Sequence, residues 1–218
     1  MNRFTNALLL FFLLPTMLVT IYIGFDLPLG FIKTSGANLP YRTELFLGLS
    51  LVFFVINLRR SVRRWIGLKI VNKQTKFKWS QPVSKSRKQR IITYLTLEAF
   101  VMAFVAIALY TLTEEAWAIA LSFLLVVVDN LIFGMVSKKY RVSLSSKALI
   151  VADREVIVLY FTGLRKVSIQ QQTVFFDYIK NIQLTFPLDC IQEGMKEEFF
   201  EILENQLDRD KVFFSKIK

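Results

Sequence analysis

The sequence predicts a membrane α-helical bundle of four transmembrane helices joined to a small α+β cytoplasmic domain. Three observations carry that expectation. Two strongly apolar regions, residues 4–58 and 91–136, are each long enough to cross a bilayer twice. Between them, Arg59 to Arg90 holds twelve Lys/Arg and no Asp or Glu. After Tyr140 the apolar spacing changes from helical to alternating, the period of strands.

Within the first region, Phe4 to Phe25 reads FTNALLLFFLLPTMLVTIYIGF. A helix of about 22 residues at about 1.5 Å rise spans a hydrocarbon core of roughly 30 Å. The run is too long for the core of a secretory signal and no small-residue cleavage site follows it, so residues 4–25 form an uncleaved first span. Pro15 kinks it. Residues 26–42, punctuated by Pro and Gly, are a loop holding only Lys33 and Arg42 as basic residues. The second span, 41–58, has fourteen apolar residues at its centre, Leu45 to Leu58, and ends where Arg59 and Arg60 snorkel to the interface. Its alternative is a re-entrant segment. Residues 91–112 and 116–136 are the third and fourth spans, and the short acidic link Thr113-Glu114-Glu115 makes them antiparallel neighbours.

Lys and Arg stay on the cytoplasmic side of membrane proteins, so the loop 59–90 orients the chain. Sixteen flanking Lys/Arg fall on its side, including Arg3, Lys138, Lys139 and Arg141, against two on the other. A multi-pass protein of the cell inner membrane with both termini cytoplasmic follows. The same loop explains the net charge of +11, since without its twelve cations the chain holds 16 basic against 17 acidic residues. A nucleic-acid partner is therefore not expected. The loop begins as a continuation of the second helix, where Val62, Trp65, Ile66 and Ile70 recur at helical spacing among arginines, the pattern of a helix lying at a membrane surface. Arg59, Arg60, Arg63, Arg64, Trp65 and Lys69 are the candidate contacts to anionic lipid headgroups.

Glu98 and Asp129 lie inside the third and fourth spans. In an antiparallel hairpin, levels match where residue numbers sum to a constant. The facing ends 112 and 115 and the pair 98 and 129 give the same sum, which places both carboxylates at one depth. Intramembrane carboxylates are costly and mark either a proton or cation site or a structural cluster. In the structural alternative one acid bonds Asn130, Thr96 or Asn57 and the other is drawn to Arg59 or Arg60.

Residues 137–218 form the cytoplasmic domain. Strands are expected at Tyr140–Leu144, Ala148–Ala152, Val156–Phe161, Arg165–Ile169, Thr173–Tyr178 and Ile179–Phe186, the last ended by Pro187. Asp153-Arg154 and Gln170-Gln171-Gln172 are turns. Met195 to Leu207 is an amphipathic helix, and the tail from Val212 to Lys218 either adds a strand or touches the membrane. This order of membrane spans, a strand meander ending at Pro187 and an acidic helix (EEFFEILENQL) resembles small bacterial membrane proteins with a pleckstrin-homology-like cytoplasmic domain, the YcxB-like family, over about 138–210. The resemblance implies an antiparallel PH-like sheet capped by a C-terminal helix, and no catalytic residues.

The chain has no histidine and one cysteine, Cys190, which excludes His-dependent triads, imidazole metal ligands and an intramolecular disulfide. It has neither a Gly-rich phosphate loop nor a Gly-x-Ser-x-Gly elbow. No catalytic residue, cofactor or metal is expected. The expected function is a non-enzymatic integral membrane scaffold or regulatory subunit, with a protein partner or homo-oligomer at its cytoplasmic domain. The alternative is a small ion- or proton-coupled transport component using Glu98 and Asp129.

Overall fold

A computed structural model describes residues 2–29, 34–73, 77–179, 181–207 and 212–216. Lys33, Lys76 and the last two tail residues, Ile217 and Lys218, lie outside them. In chain order the elements are α1 (Asn2–Gly24), β1 (Pro28–Leu29), β2 (Thr34–Ser35), α2 (Arg42–Val71), β3 (Trp79–Pro82), α3 (Lys85–Leu112), α4 (Trp117–Met135), β4 (Arg141–Leu144), β5 (Ala148–Ala152), β6 (Val156–Tyr160), β7 (Leu164–Gln170), β8 (Thr173–Tyr178), β9 (Gln183–Pro187), α5 (Lys196–Gln206) and β10 (Phe213–Lys216). They form two compact units: Met1–Val62 with Leu95–Phe133, and Arg63–Tyr94 with Gly134–Lys218.

The first unit is helical. Among the described residues, four helical segments of the chain are long and apolar enough to cross a membrane. Their buried seam is built from Leu9, Ile23, Phe46, Phe53, Leu109, Ile119 and Phe123 together with the small residues Ala106, Ala116 and Ala120, which let helices approach closely. Phe53 and Phe123 meet at 5.1 Å between ring centroids. The outer faces are apolar as well: Phe11, Leu18, Leu51, Phe100, Phe104 and Leu125 are exposed. Water would not favour such a surface, whereas lipid would. In α1, Pro15 leaves the Phe11 carbonyl without its helical donor. Thr16 and Thr20, both fully buried, donate their hydroxyls to the carbonyls of Phe12 and Thr16 at 2.7 Å.

The second unit holds two four-stranded sheets, ordered β3-β4-β5-β6 and β10-β7-β8-β9. Every pairing in them is antiparallel except β10 with β7. Helix α5 contributes Phe199, Phe200 and Leu203 to the core, where Phe199 lies 5.3 Å from Trp79 and 5.7 Å from Phe186. Tyr140, Leu144, Leu149, Val167, Val174 and Phe176 complete it. Gly163 ends the β6–β7 turn at φ 76°, a conformation that side chains resist.

Three expectations are corrected. The stretch 59–90 is not a loop joining two spans. α2 runs on unbroken to Val71, α3 begins at Lys85, and Trp79–Pro82 is a strand whose backbone pairs with β4, so this stretch supplies an edge of the first sheet. Residues 62–70 continue the second helix, as expected, but not as a helix resting on a surface by its apolar side. Arg64, Gly67, Leu68 and Val71 are buried while Val62, Ile66 and Ile70 are exposed. Gly67 is the reason for the close approach, because a Cβ there would run into the side chain of Val156 on β6. Finally, the last strand of the meander begins at Gln183 rather than Ile179. Tyr178 N–H donates to the Ile182 carbonyl and Asn181 takes φ 57°, so Ile179, Asn181 and Ile182 stand outside the ladder. The tail adds a strand.

Candidate functional site

In the helical unit, the two carboxylates expected inside the third and fourth spans are each held by α2. Arg60 grips Glu98 with both guanidinium nitrogens, Nη1 to Oε1 at 2.5 Å and Nη2 to Oε2 at 2.8 Å. The two side chains are only 13% and 11% exposed. Ser61 donates its hydroxyl to Asp129 Oδ1 at 2.7 Å. Consecutive helical residues point about 100° apart, which is how adjacent positions on one helix reach α3 and α4 at once. They also differ by a single helical rise, so one turn of α2 meets both carboxylates.

Other polar contacts repeat this pattern along α2. Ser50 donates to the Ala118 carbonyl at 2.8 Å and lies 3.0 Å from the Ser122 hydroxyl. At the far end, Arg42 meets Glu115 at 2.8 Å, and Glu115 also accepts the Thr113 hydroxyl. Partners on α2 and α4 climb together in number, so these two helices run parallel. The polar side chains act as rungs. An arginine that closes on both oxygens of Glu98 leaves that carboxylate little capacity for a passing cation, and a bidentate pair holds one geometry.

The sheet unit gathers a second charged group. Arg87 donates from Nε and Nη2 to Asp153 Oδ2 at 3.2 and 3.0 Å, and its Nη1 lies 3.6 Å from Asp189. Arg90 reaches the other Asp189 oxygen at 3.0 Å. Ser84 caps α3, accepting the Arg87 N–H at 3.2 Å and donating to the Asp189 carbonyl at 2.6 Å. This cluster fastens the first turn of α3 to the segment after β9. Cys190 is buried beside it. Burial first, then the carboxylate of Asp153, pushes its thiol well above the ordinary range, which makes it a poor nucleophile. Asp153, expected merely to turn the chain, is 3% exposed and does so with its side chain, accepting the Glu155 N–H at 3.2 Å.

The six candidate lipid contacts separate. Arg59, Arg63 and Lys69 are exposed and Trp65 is half-buried. Arg60 is committed to Glu98 and Arg64 is 3% exposed, so neither offers its charge to the surroundings. Among the described residues no group of three acidic or cysteine side chains is placed to hold a metal ion.

The sheet unit also presents two adjoining hollows around the β6–β7 turn. A cleft of about 600 Å³ is bounded by Lys147, Arg165, Phe161, Gln206 and Leu207. A groove of about 310 Å³ is walled by Val158, Tyr160, Tyr178, Ile182 and Leu184, and the two share Thr162, Gly163 and Ile179. The turns beside them are pinned: Tyr178 donates its hydroxyl to the Tyr160 carbonyl at 2.7 Å, and Ile179 N–H donates to the Gly163 carbonyl at 2.9 Å. Tyr160, Ile179 and Ile182 are 61%, 49% and 53% exposed, an apolar patch among the described residues. Sequence reading missed it because alternation alone assigns these residues to strands. The signal was two isoleucines in one short turn.

Comparison of the chain with protein-family models, with curated proteins and with solved structures returns no match.

Proposed function

We propose that this chain is a multi-pass scaffold or regulatory subunit of a bacterial inner membrane that offers its sheet unit to a protein partner in the cytoplasm. The observation that carries the reading is the exposed patch of Tyr160, Ile179 and Ile182 beside a cleft bearing Lys147 and Arg165. Among the described residues no carboxylate lines either hollow, and the fitting partner is a segment that mixes apolar and acidic side chains. Three consecutive antiparallel strands, β4–β6, then three more, β7–β9, then a helix support the pleckstrin-homology-like reading of the unit and, with it, the YcxB-like resemblance. The strand β3 completes the first sheet. The apolar outer faces of the helices support insertion, and the basic segment supports a cytoplasmic sheet unit. Exposed Arg59, Arg63 and Lys69 remain suited to anionic lipid.

Glu98 held in two bonds by Arg60 speaks against the transport alternative. Truncation after Val136 is a poor test of the scaffold, because it strips β3 of β4. The sharper comparison purifies the full chain and a Tyr160→Asp/Ile182→Asp variant from native membranes after crosslinking. A stoichiometric partner present with the first and lost with the second is expected. Equal recovery of the same proteins with both sinks the proposal.

A further inference from the structure

We propose that the outer edge of β6 is a strand-docking site, where an extended segment of another protein, apolar at alternate positions and acidic at one end, is added to the first sheet. The inference rests on the reading of the two hollows as a partner's seat and names how that partner is held. Phe161 N–H donates to the Lys147 carbonyl at 2.8 Å, which marks these two as a hydrogen-bonded pair. In an antiparallel ladder such pairs recur at every second residue, so Leu159 with Leu149 and Ile157 with Val151 make the bonds to β5. The main-chain groups of Val156, Val158 and Tyr160 therefore point away from β5. β6 is the last strand of its sheet, so no described strand meets them.

Tyr178 shows what this edge lacks. Its hydroxyl donates to the outward Tyr160 carbonyl at 2.7 Å, in the place of a neighbouring strand's N–H. Tyr178 is also a wall of the groove of about 310 Å³, with Val158, Tyr160, Ile182 and Leu184, so the edge opens onto that groove. The close approach of Gly67 to Val156 closes the other end. The open stretch, Val158 and Tyr160, carries none of the Lys or Pro with which edges repel strands. An added strand gains main-chain bonds at both residues, and its alternate side chains meet Ile182 and Leu184. One residue on, the ladder partner of Phe161 is Lys147, which bounds the adjoining cleft with Arg165. Both cations are exposed, and among the described residues no carboxylate lines either hollow. That end takes the acidic side chains.

A displayed library of random dodecapeptides, selected on the full chain in lipid nanodiscs and depleted on the Tyr160→Asp/Ile182→Asp variant, tests the mode of docking. Enriched peptides are expected to alternate apolar and polar residues, with Asp or Glu at one end. Val158→Pro removes an outward N–H and leaves the bonds to β5 whole, a position where edge strands accept proline. It should keep the wild-type unfolding midpoint and weaken binding of a synthetic consensus peptide about tenfold or more by fluorescence anisotropy. Val158→Ala, which retains the N–H, should bind within about threefold of wild type. In the wild-type chain the same peptide should slow hydrogen exchange at the Val158 and Tyr160 amides, a readout that decides the matter if Val158→Pro does not fold. Three results overturn strand docking: no peptide is enriched, Val158→Pro folds and binds as tightly as wild type, or those amides exchange as fast with peptide as without. The partner reading falls separately, on equal recovery from native membranes with the Tyr160→Asp/Ile182→Asp variant. A native partner kept by Val158→Pro sinks the strand alone.

Discussion

Arg60 and Glu98 face each other in a two-bond ion pair inside the helical unit, with both side chains nearly covered. Breaking a buried pair by removing one partner strands the other charge, and typically costs about 3–5 kcal/mol. Glu98→Gln or Arg60→Gln is therefore expected to lower the unfolding midpoint in detergent sharply. The double variant, with no charge to strand, recovers most of the loss. Additive effects in that four-variant cycle would falsify the pair as a clamp. On the same grounds Glu98→Gln with Asp129→Asn fails to accumulate in membranes rather than accumulating in an inactive form.

Gly67 and Val156 set a steric test in the sheet unit. A helix gains from Gly→Ala in the absence of neighbours. Here the added methyl meets the Val156 side chain, and overpacking of this kind costs about 1–3 kcal/mol. Gly67→Ala should destabilise the chain and Val156→Ala should rescue it. Thermal denaturation of the three variants decides the matter, and a stabilising Gly67→Ala would show that the approach is looser than the structure has it.

Trp79 measures what β3 contributes. The residue is 5% exposed and stacks near Phe199, so Trp79→Ala removes a large core side chain at about 3–5 kcal/mol. The indole N–H has no acceptor among the described residues, which means Trp79→Phe gives up little besides volume. Limited proteolysis should therefore cut the Ala variant within 137–218 far faster than wild type, with the Phe variant close to wild type.

Cys190 reports folding through its chemistry. Its thiol is buried and its pKa is raised above the ordinary 9.0, chiefly by burial. Alkylation by a maleimide should be slow in the native chain and complete after denaturation. The raised pKa also has a sign in stability: the contribution is fully present below pH 9.0 and is lost as pH climbs above it, because the unfolded thiol ionises first. Cys190→Ala should flatten the alkaline limb of a stability profile. Rapid native labelling at neutral pH would contradict the burial.

Much of this fold can be read from the chain alone, for identifiable reasons. Long apolar runs betray helices because their signal is local, and the β5, β6 and β8 segments are bounded by turn residues at both ends. Hairpin arithmetic paired Glu98 with Asp129, and adjacent residues of α2 hold the two. What escaped was non-local. Trp79-Ser80-Gln81-Pro82 looks like part of a charged connector until β4 is known to lie beside it. Ser61 gives no warning of its bond to Asp129, since a serine beside two arginines reads as surface. The arginine-rich extension of α2 was legible as helix but not as interior, because burial of Arg64 depends on neighbours far along the sequence. The strand at Phe213 depends on β7, which lies more than forty residues earlier.

The pairing of β3 with β4 has a consequence in time. β3 leaves the ribosome before α3 and α4 exist, and β4 only after both are made. At a synthesis rate of about 5–20 residues per second, β3 and its Trp79 wait several seconds for their partner. With the α3–α4 hairpin inserted as proposed, β4 reaches β3 only when that hairpin returns to the side it left. Completion of the first sheet then reports that both helices went in together, and until it closes the edge of β3 and Trp79 stay unpaired.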